Sequence, residues 1–436
     1  MYYESALNAM AQQYLDLTLN KSRYDEIDIQ WFTEGPFWRR TSMNFSRDYK
    51  ILPDYEIADL KHGKSLKEIL AESEILIKNL ESYRKTARPE EMRRVDYILS
   101  HVVTLNTRAR MMLGESFGFD EVTDKLYNLT APEFDYSKFD IMMDKLNQAL
   151  PGQGTVQEKI AGFRSRITIP QSALLKVLKG TTQAFHDMSM ANMTLTGNSM
   201  PRVRVRELPD NMEFLSILFG YDYNHLEYER NFNSLYPWTA DKVVECIGHE
   251  MEPGHITYYE KRTQAYIDTC WPEMAIVSQY SASSAFTEGS ARYVISMCFD
   301  HSMEKQLDFE RELIFKPAGL DEGLLDVMPL WHEYAELAGY GKLEASRNLW
   351  DKKWTLDEAA AFLKKYGFIA QNADAAMVNR LALDAGHFVS HDYARDVVKS
   401  YFQAVTSSVA EEWKLYEELC YGHMDMREME AVHKAK

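Results

Sequence analysis

Gly248-His249-Glu250-Met251-Glu252-Pro253-Gly254-His255 is the stretch against which the rest of the chain is read. Two histidines four residues apart share one helical face and can hold a zinc ion, with a glutamate between them as general base. Here the histidines are six apart. At about 100° per residue an unbroken helix leaves them about 120° apart in azimuth, so both reach one ion only if the helix breaks between them. The break is written in: Pro253 lacks a backbone donor and disfavours helix at Glu252, and Gly254 offers backbone angles that restart the chain in a new direction.

Upstream, Tyr236-Pro237-Trp238 closes an aromatic stretch, and Thr239 and Asp241 are suited to cap and open the motif helix. Val243, Val244, Ile247 and Met251 fall in one arc, and His249 projects about 180° from its middle. His249 therefore faces solvent or a second, polar cavity, as on a helix that lines a cleft. Downstream, a long helix is expected over Ala275 to Phe299, and Glu288 on it is the candidate third ligand, 33 residues after His255. Ser281, Ser284, Ala285 and Ala291 share its face, while Phe286, Tyr293 and Met297 lie opposite, so the carboxylate sits among small residues where another helix can approach. The competing reading pairs Glu288 with Arg292, four residues on.

The 436 residues, 45% hydrophobic and 12% aromatic, can bury a large core. Lys plus Arg total 49 against 66 for Asp plus Glu, and the net charge of -17 argues against nucleic acid or an anionic membrane as the main partner. Tyr2, Tyr3 and Glu4 stand where an export signal needs a basic start and an apolar run, so none is expected. The charge-free stretch Met274 to Thr287 is too short to span a bilayer. Cys246, Cys270, Cys298 and Cys420 show no close pairing, which fits reduced thiols in a cytoplasm.

The first two hundred residues are mostly amphipathic helix: Met1 to Asn20, Ile57 to Ala87, Glu90 to Gly114, Ala131 to Leu150, Val156 to Arg166 and Gln171 to Met193. Trp31, Phe32, Phe37 and Trp38, around Glu34-Gly35-Pro36, read as a core-packing loop or the wall of a cleft. From Pro201 the pattern changes: Val203-Arg204-Val205-Arg206 alternates strictly and Phe214 to Phe232 is aromatic-rich, which predicts a small sheet. Arg202, Arg204 and Arg206 suit a solvated edge strand, or else a substrate carboxylate.

His249-Glu250-x-x-Pro253-Gly254-His255 followed by Glu288-Gly289-x-Ala291-x-Tyr293 resembles a family of largely uncharacterised bacterial and archaeal metallopeptidase-like proteins that share these two signatures. That family is similar to the large helical zinc peptidases, such as thimet oligopeptidase, angiotensin-converting enzyme and the thermostable carboxypeptidases. The resemblance implies that His249, His255 and Glu288 hold one zinc ion and that Glu250 is the general base. Ile256 and Ser290 depart from it, where many members carry a histidine and a tryptophan; neither change removes a ligand.

The oxyanion of a tetrahedral intermediate also needs stabilisation. On an expected helix Ala385 to Phe402, His387, His391 and Arg395 follow at i,i+4 steps while Tyr393 points away, so His391 is the candidate catalytic donor and His387 and Arg395 the candidate substrate contacts. Ser390-His391 stands where relatives often carry Ser-Tyr; a core histidine is the alternative. His332, His423 and His433 are read as structural.

The expected architecture is mostly α: a two-lobed, metallopeptidase-like helical fold with a small antiparallel sheet at the cleft. Residues 1–200 form a helical lobe and residues 201–436 the catalytic lobe of one structural domain. The expected activity is zinc-dependent hydrolysis of short peptides, of carboxypeptidase or oligopeptidase type, with Glu250 acting on a zinc-bound water. The expected partner is a short peptide or amide substrate, not nucleic acid or membrane. Two other readings stay open. One is a di-iron or manganese carboxylate protein, for which Glu252-x-x-His255 and Asp384-x-x-His387 have the spacing. The other is a peptide-binding member without turnover.

Overall fold

The computed structural model describes residues 6–25, 29–32, 41–43, 63–195, 201–207, 214–222, 225–370 and 375–436. The fold is mostly α, with a small sheet of a few strands. No helix among the described residues is long and apolar enough to cross a membrane.

Local chemistry sets many of the helix ends. Ser65 opens helix Leu66–Arg84 by accepting from the Glu68 N–H, while the Glu68 carboxylate accepts from the Ser65 N–H. Thr155 with Glu158 and Thr355 with Glu358 repeat this reciprocal cap. Pro89 occupies the first turn of helix Pro89–Met112, where its missing N–H has no intrahelical partner to lose. The first expected helix runs Ala6–Lys21, and the stretch expected as helix from Ala131 becomes helical only at Ser137–Ala149. Helices Val156–Arg166 and Gln171–Asn192 lie where the periodicity puts them. Trp31 and Phe32 end a short strand, whereas Phe37, Trp38 and Glu34-Gly35-Pro36 lie outside the described residues.

Buried polar pairs tie the two halves of the chain together. Arg94 donates to Glu273 at 3.0 Å, which also bonds His423, and His101 and Tyr97 converge on the Ser283 hydroxyl at 2.7 and 2.6 Å. Around them one hydrophobic core continues from Leu76 and Val102 through Val244 and Val294 to Val398.

The sheet has the order β2 (Thr41–Met43), β4 (Phe214–Asp222), β5 (His225–Asn233), β3 (Arg202–Arg206). The expectation of an antiparallel sheet is corrected at one pair. β4 runs antiparallel to both β2 and β5, but β3 runs parallel to β5, with Arg204 opposite Asn231. β4 and β5 pair as neighbours through Asp222 and His225, and β3 lies on the far side of β5 and runs with it. Alternation along Val203-Arg204-Val205 specifies a strand and its two faces but carries no information on direction. Arg202, Arg204 and Arg206 are exposed on this edge. A second correction concerns Ala275 to Phe299: Ile276–Ser278 form strand β6, paired antiparallel with β1 (Ile29–Phe32), and the helix begins only at Ala282.

Candidate metal centre

The motif helix, Ala240–Glu250, begins after Thr239, which stands at the cap position without a side-chain cap bond. Val243, Val244 and Ile247 are buried, as the arc requires, and Met251 just beyond the helix is buried with them. Gly248 lets the helix pack closely: a Cβ there would come 2.7 Å from the Ile295 side chain. The helix ends at Glu250, and a new one, His255–Thr269, starts after Gly254. Neighbouring helices pin the intervening turn. Tyr416 donates to the Pro253 carbonyl at 2.8 Å, Thr182 reaches Met251 Sδ at 3.8 Å, and His186 holds Glu252 at 2.5 Å.

Gly254 fulfils its role differently from the expectation. Its φ is −76° and its ψ −121°, so the left-handed region is not what requires glycine. A Cβ at this position would lie 1.9 Å from the His249 carbonyl oxygen. The absence of a side chain is thus what allows the turn to close.

Ser281 caps helix Ala282–Cys298 by accepting from the Ser284 N–H, and Glu288 projects from its middle. Gly289 lies against the backbone of Ala394, where a Cβ would come 2.6 Å from the carbonyl carbon. The small-residue face therefore receives helix Asp392–Val405. Arg292 forms no ion pair with Glu288. It reaches Glu245 on the motif helix at 3.3 Å and Asp392 at 3.5 Å, so the competing i,i+4 pairing is not made.

The expected continuous helix from Ala385 is also corrected. Ala385 and Gly386 take positive φ values of 46° and 74°, His387–Ser390 form a single 3-10 turn, and the α-helix starts at Asp392 with His391 at its cap position. His387, His391 and Arg395 consequently do not share one helical face. Arg395 instead pairs with Asp392, Glu336 and Asp396 at 3.3, 3.3 and 2.9 Å, which leaves its guanidinium surrounded by carboxylates. Tyr393 donates to Glu430 at 3.0 Å, away from the centre.

The result is a convergence on Glu288. Its Oε2 lies 3.0 Å from His249 Nε2, 3.6 Å from His255 Nε2 and 3.6 Å from His391 Nε2. His249, His255 and Glu288 are all buried, with one donor atom from each within 4.8 Å of the others. Two imidazoles and a carboxylate are the donor types zinc takes, and an open fourth position is what a catalytic site keeps. The Nδ1 atoms of His249 and His255 have no hydrogen-bond partner among the described residues. The set therefore fits a divalent cation by donor chemistry and mutual distance. Glu252 lies elsewhere, paired with His186, so the Glu252-x-x-His255 spacing does not produce a shared ligand set.

Electrostatics follow from this packing. Burial pushes the Glu288 carboxyl up, but His255, His391 and His249 outweigh it and hold it well below the ordinary carboxylate range. Burial pulls His255 down, and the Glu288 carboxylate more than reverses this. For His391 burial prevails and keeps the imidazole neutral. Glu250 is raised by burial and then lowered further by Arg230, His249 and His255, so its net shift is downward.

Arg230 is the residue that the sequence reading missed. It is 6% exposed, projects from β5 and forms an ion pair with Glu250. Its signal was present: Arg230 is in phase with Phe232, which is fully buried, so a charged residue occupies the inward face of a strand. Tyr259 is a second such residue, its ring stacked 6.0 Å from that of His255.

No protein family's sequence profile matches the chain, and no curated protein matches it. Among solved structures, it is similar to the crystal structure of a candidate lipoprotein from Colwellia psychrerythraea. The TM-score is 0.49 and the identity 14%, over 85% of this chain and 69% of that one.

Proposed function

We propose that this chain is a zinc-dependent hydrolase of peptide bonds in short peptides, a metallopeptidase of carboxypeptidase or oligopeptidase type. The observation that carries the reading is the buried triad within 4.8 Å, in which His249 and His255 flank a helix break and Glu288 comes from a separate helix, with Glu250 beside them. The resemblance of both signatures to those of a metallopeptidase-like family, itself similar to the large helical zinc peptidases, supports the same assignment. Held by this triad, zinc would polarise the scissile carbonyl and lower the pKa of a coordinated water to about 7.

The chain's own residues have distinct tasks. Glu250 takes the proton from the attacking water and passes it to the leaving amine, which requires an ionised carboxylate. Arg230 favours that form by standing against it in a buried setting. His391, beside Glu288, is assigned to stabilising the oxyanion. We propose a cytoplasmic location, a reading supported by the wide sequence spacing of Cys246, Cys270, Cys298 and Cys420.

Metal analysis combined with peptide hydrolysis tests the reading. Glu288→Gln should release most of the zinc, because a neutral amide replaces a carboxylate ligand poorly. Glu250→Gln should retain zinc and lose hydrolysis by roughly 100-fold or more. Zinc loss in Glu250→Gln, with unchanged hydrolysis per bound ion, would move Glu250 into the ligand set and refute the assignment. Zinc binding without hydrolysis of any short peptide would favour a peptide-binding protein.

A further inference from the structure

A second set of metal donors adjoins the first. Glu288, His387 and His391 also place one donor atom each within 4.8 Å of one another, and the two triads share Glu288 alone. The four imidazoles do not form one group within that distance. Donors around a single zinc, bound at about 2.1 Å, can be no more than about 4.2 Å apart. A carboxylate with two oxygens can instead serve two ions about 3.5–4 Å apart.

The hydrogen bonds around Ser390 set the tautomers of both histidines. Its hydroxyl donates to the His387 carbonyl at 2.6 Å, so its oxygen is left to accept from the rings. His387 Nδ1 lies 3.2 Å from that oxygen and His391 Nδ1 3.4 Å from it. His391 Nδ1 also faces the His387 carbonyl, a pure acceptor, at 3.4 Å. Both rings thus carry their proton on Nδ1 and a lone pair on Nε2. At His387 that lone pair accepts from the Gln279 side-chain amide at 2.8 Å. At His391 it points at the Glu288 carboxylate, 3.6 Å away. Two lone pairs facing each other repel unless a cation lies between them.

We infer that His387, His391 and the shared Glu288 hold a second divalent cation, making the centre a carboxylate-bridged pair of metal ions. The inference rests on the hydrolase reading for the first ion. It also specifies how His391 stabilises the oxyanion: with no proton on Nε2 it does so through the positive charge of the ion it holds and not by donating a hydrogen bond. The Gln279 amide occupies the Nε2 lone pair of His387 and must turn aside when the ion binds. A further acidic group near this seat is Asp384, which interacts with both His387 and Glu288.

Chelator-stripped protein would be loaded separately with Zn2+ and Mn2+, freed of unbound metal, and analysed for metal per chain. Two ions are expected in the wild type and one in the double variant His387→Gln/His391→Gln. The Mn2+-loaded wild type should show a broad, spin-coupled electron paramagnetic resonance spectrum, a readout that does not depend on the variant's folding. One ion in both proteins, with the six-line spectrum of isolated Mn2+, overturns the second site and leaves the hydrolase reading standing. Two ions in both place the second one elsewhere and overturn it equally. No bound metal in either overturns both readings.

Discussion

Replacing Gly254 by alanine tests the turn that brings the two motif histidines together. The new Cβ would lie 1.9 Å from the His249 carbonyl oxygen and 2.6 Å from that of Gly248. A carbon–oxygen contact needs about 3.3 Å, so the His249 carbonyl would have to retreat by about 1.4 Å. Both obstacles are backbone atoms, and no rotamer change relieves them. The turn cannot open freely either, because Tyr416 holds the Pro253 carbonyl and His186 holds Glu252. Metal–ligand distances tolerate about 0.2 Å. The expected outcome is destabilisation of about 3 kcal/mol or more, with metal affinity in the folded fraction reduced at least roughly 100-fold. Urea unfolding followed by fluorescence of the eight tryptophans, and competition against a chromogenic chelator, measure the two effects separately. Gly162→Ala is the control: it lies on helix Val156–Arg166 with nothing within 4 Å of its Cβ position. It should gain up to about 1 kcal/mol from helix propensity. Wild-type stability and metal affinity in Gly254→Ala would refute the close-approach argument.

Gly289→Ala should cost about 1–3 kcal/mol by overpacking and weaken metal binding, since it forces helix Ala282–Cys298 away from Ala394; a urea midpoint equal to wild type would count against this contact. His391→Phe should lower hydrolysis by roughly 100-fold, and unchanged turnover would return His391 to a structural role. Burial pushes the Glu252 carboxyl up to about 7, so the folded state binds its proton more tightly than the unfolded state; this contribution is full below pH 4.5 and lost as pH rises through about 7. Glu252→Gln mimics the protonated form, and the move from 4.5 to about 7 corresponds to about 3 kcal/mol, so the variant should match wild type below pH 4.5 and exceed it above pH 7; parallel melting curves across that window would refute the assignment.

What could be read from sequence follows from how local its cause is. The break between His249 and His255 is encoded by adjacent residues, and the small-residue face around Glu288 is visible within one helix. Strand β6 was not legible, because Ile276–Ser278 becomes a strand only by pairing with Ile29–Phe32, far earlier in the chain. Arg230 needed both the phase of β5 and the knowledge that Phe232 points inward. At 385–391, helical spacing was extrapolated through Gly386, whose positive φ of 74° ends any regular helix. His391 nevertheless reaches Glu288, by a route the i,i+4 argument did not contain.

Gly248 and the glycines of the two signatures explain why this centre tolerates such irregular chain paths. Gly248 sits against Ile295, Gly254 against the His249 carbonyl, and Gly289 against Ala394. Each marks a contact between segments that carry donors: the motif helix, the helix after the break, the Glu288 helix and the helix that follows His391. Donor spacing is therefore set by how closely backbones approach, more than by side-chain reach. Imidazole and carboxylate side chains are short, and a Cβ at any of the three contacts would move a whole segment rather than a single rotamer. Ile256 and Ser290, the two departures from the related signatures, are buried but occupy none of these contacts. This is the physical reason that they leave the donor set intact.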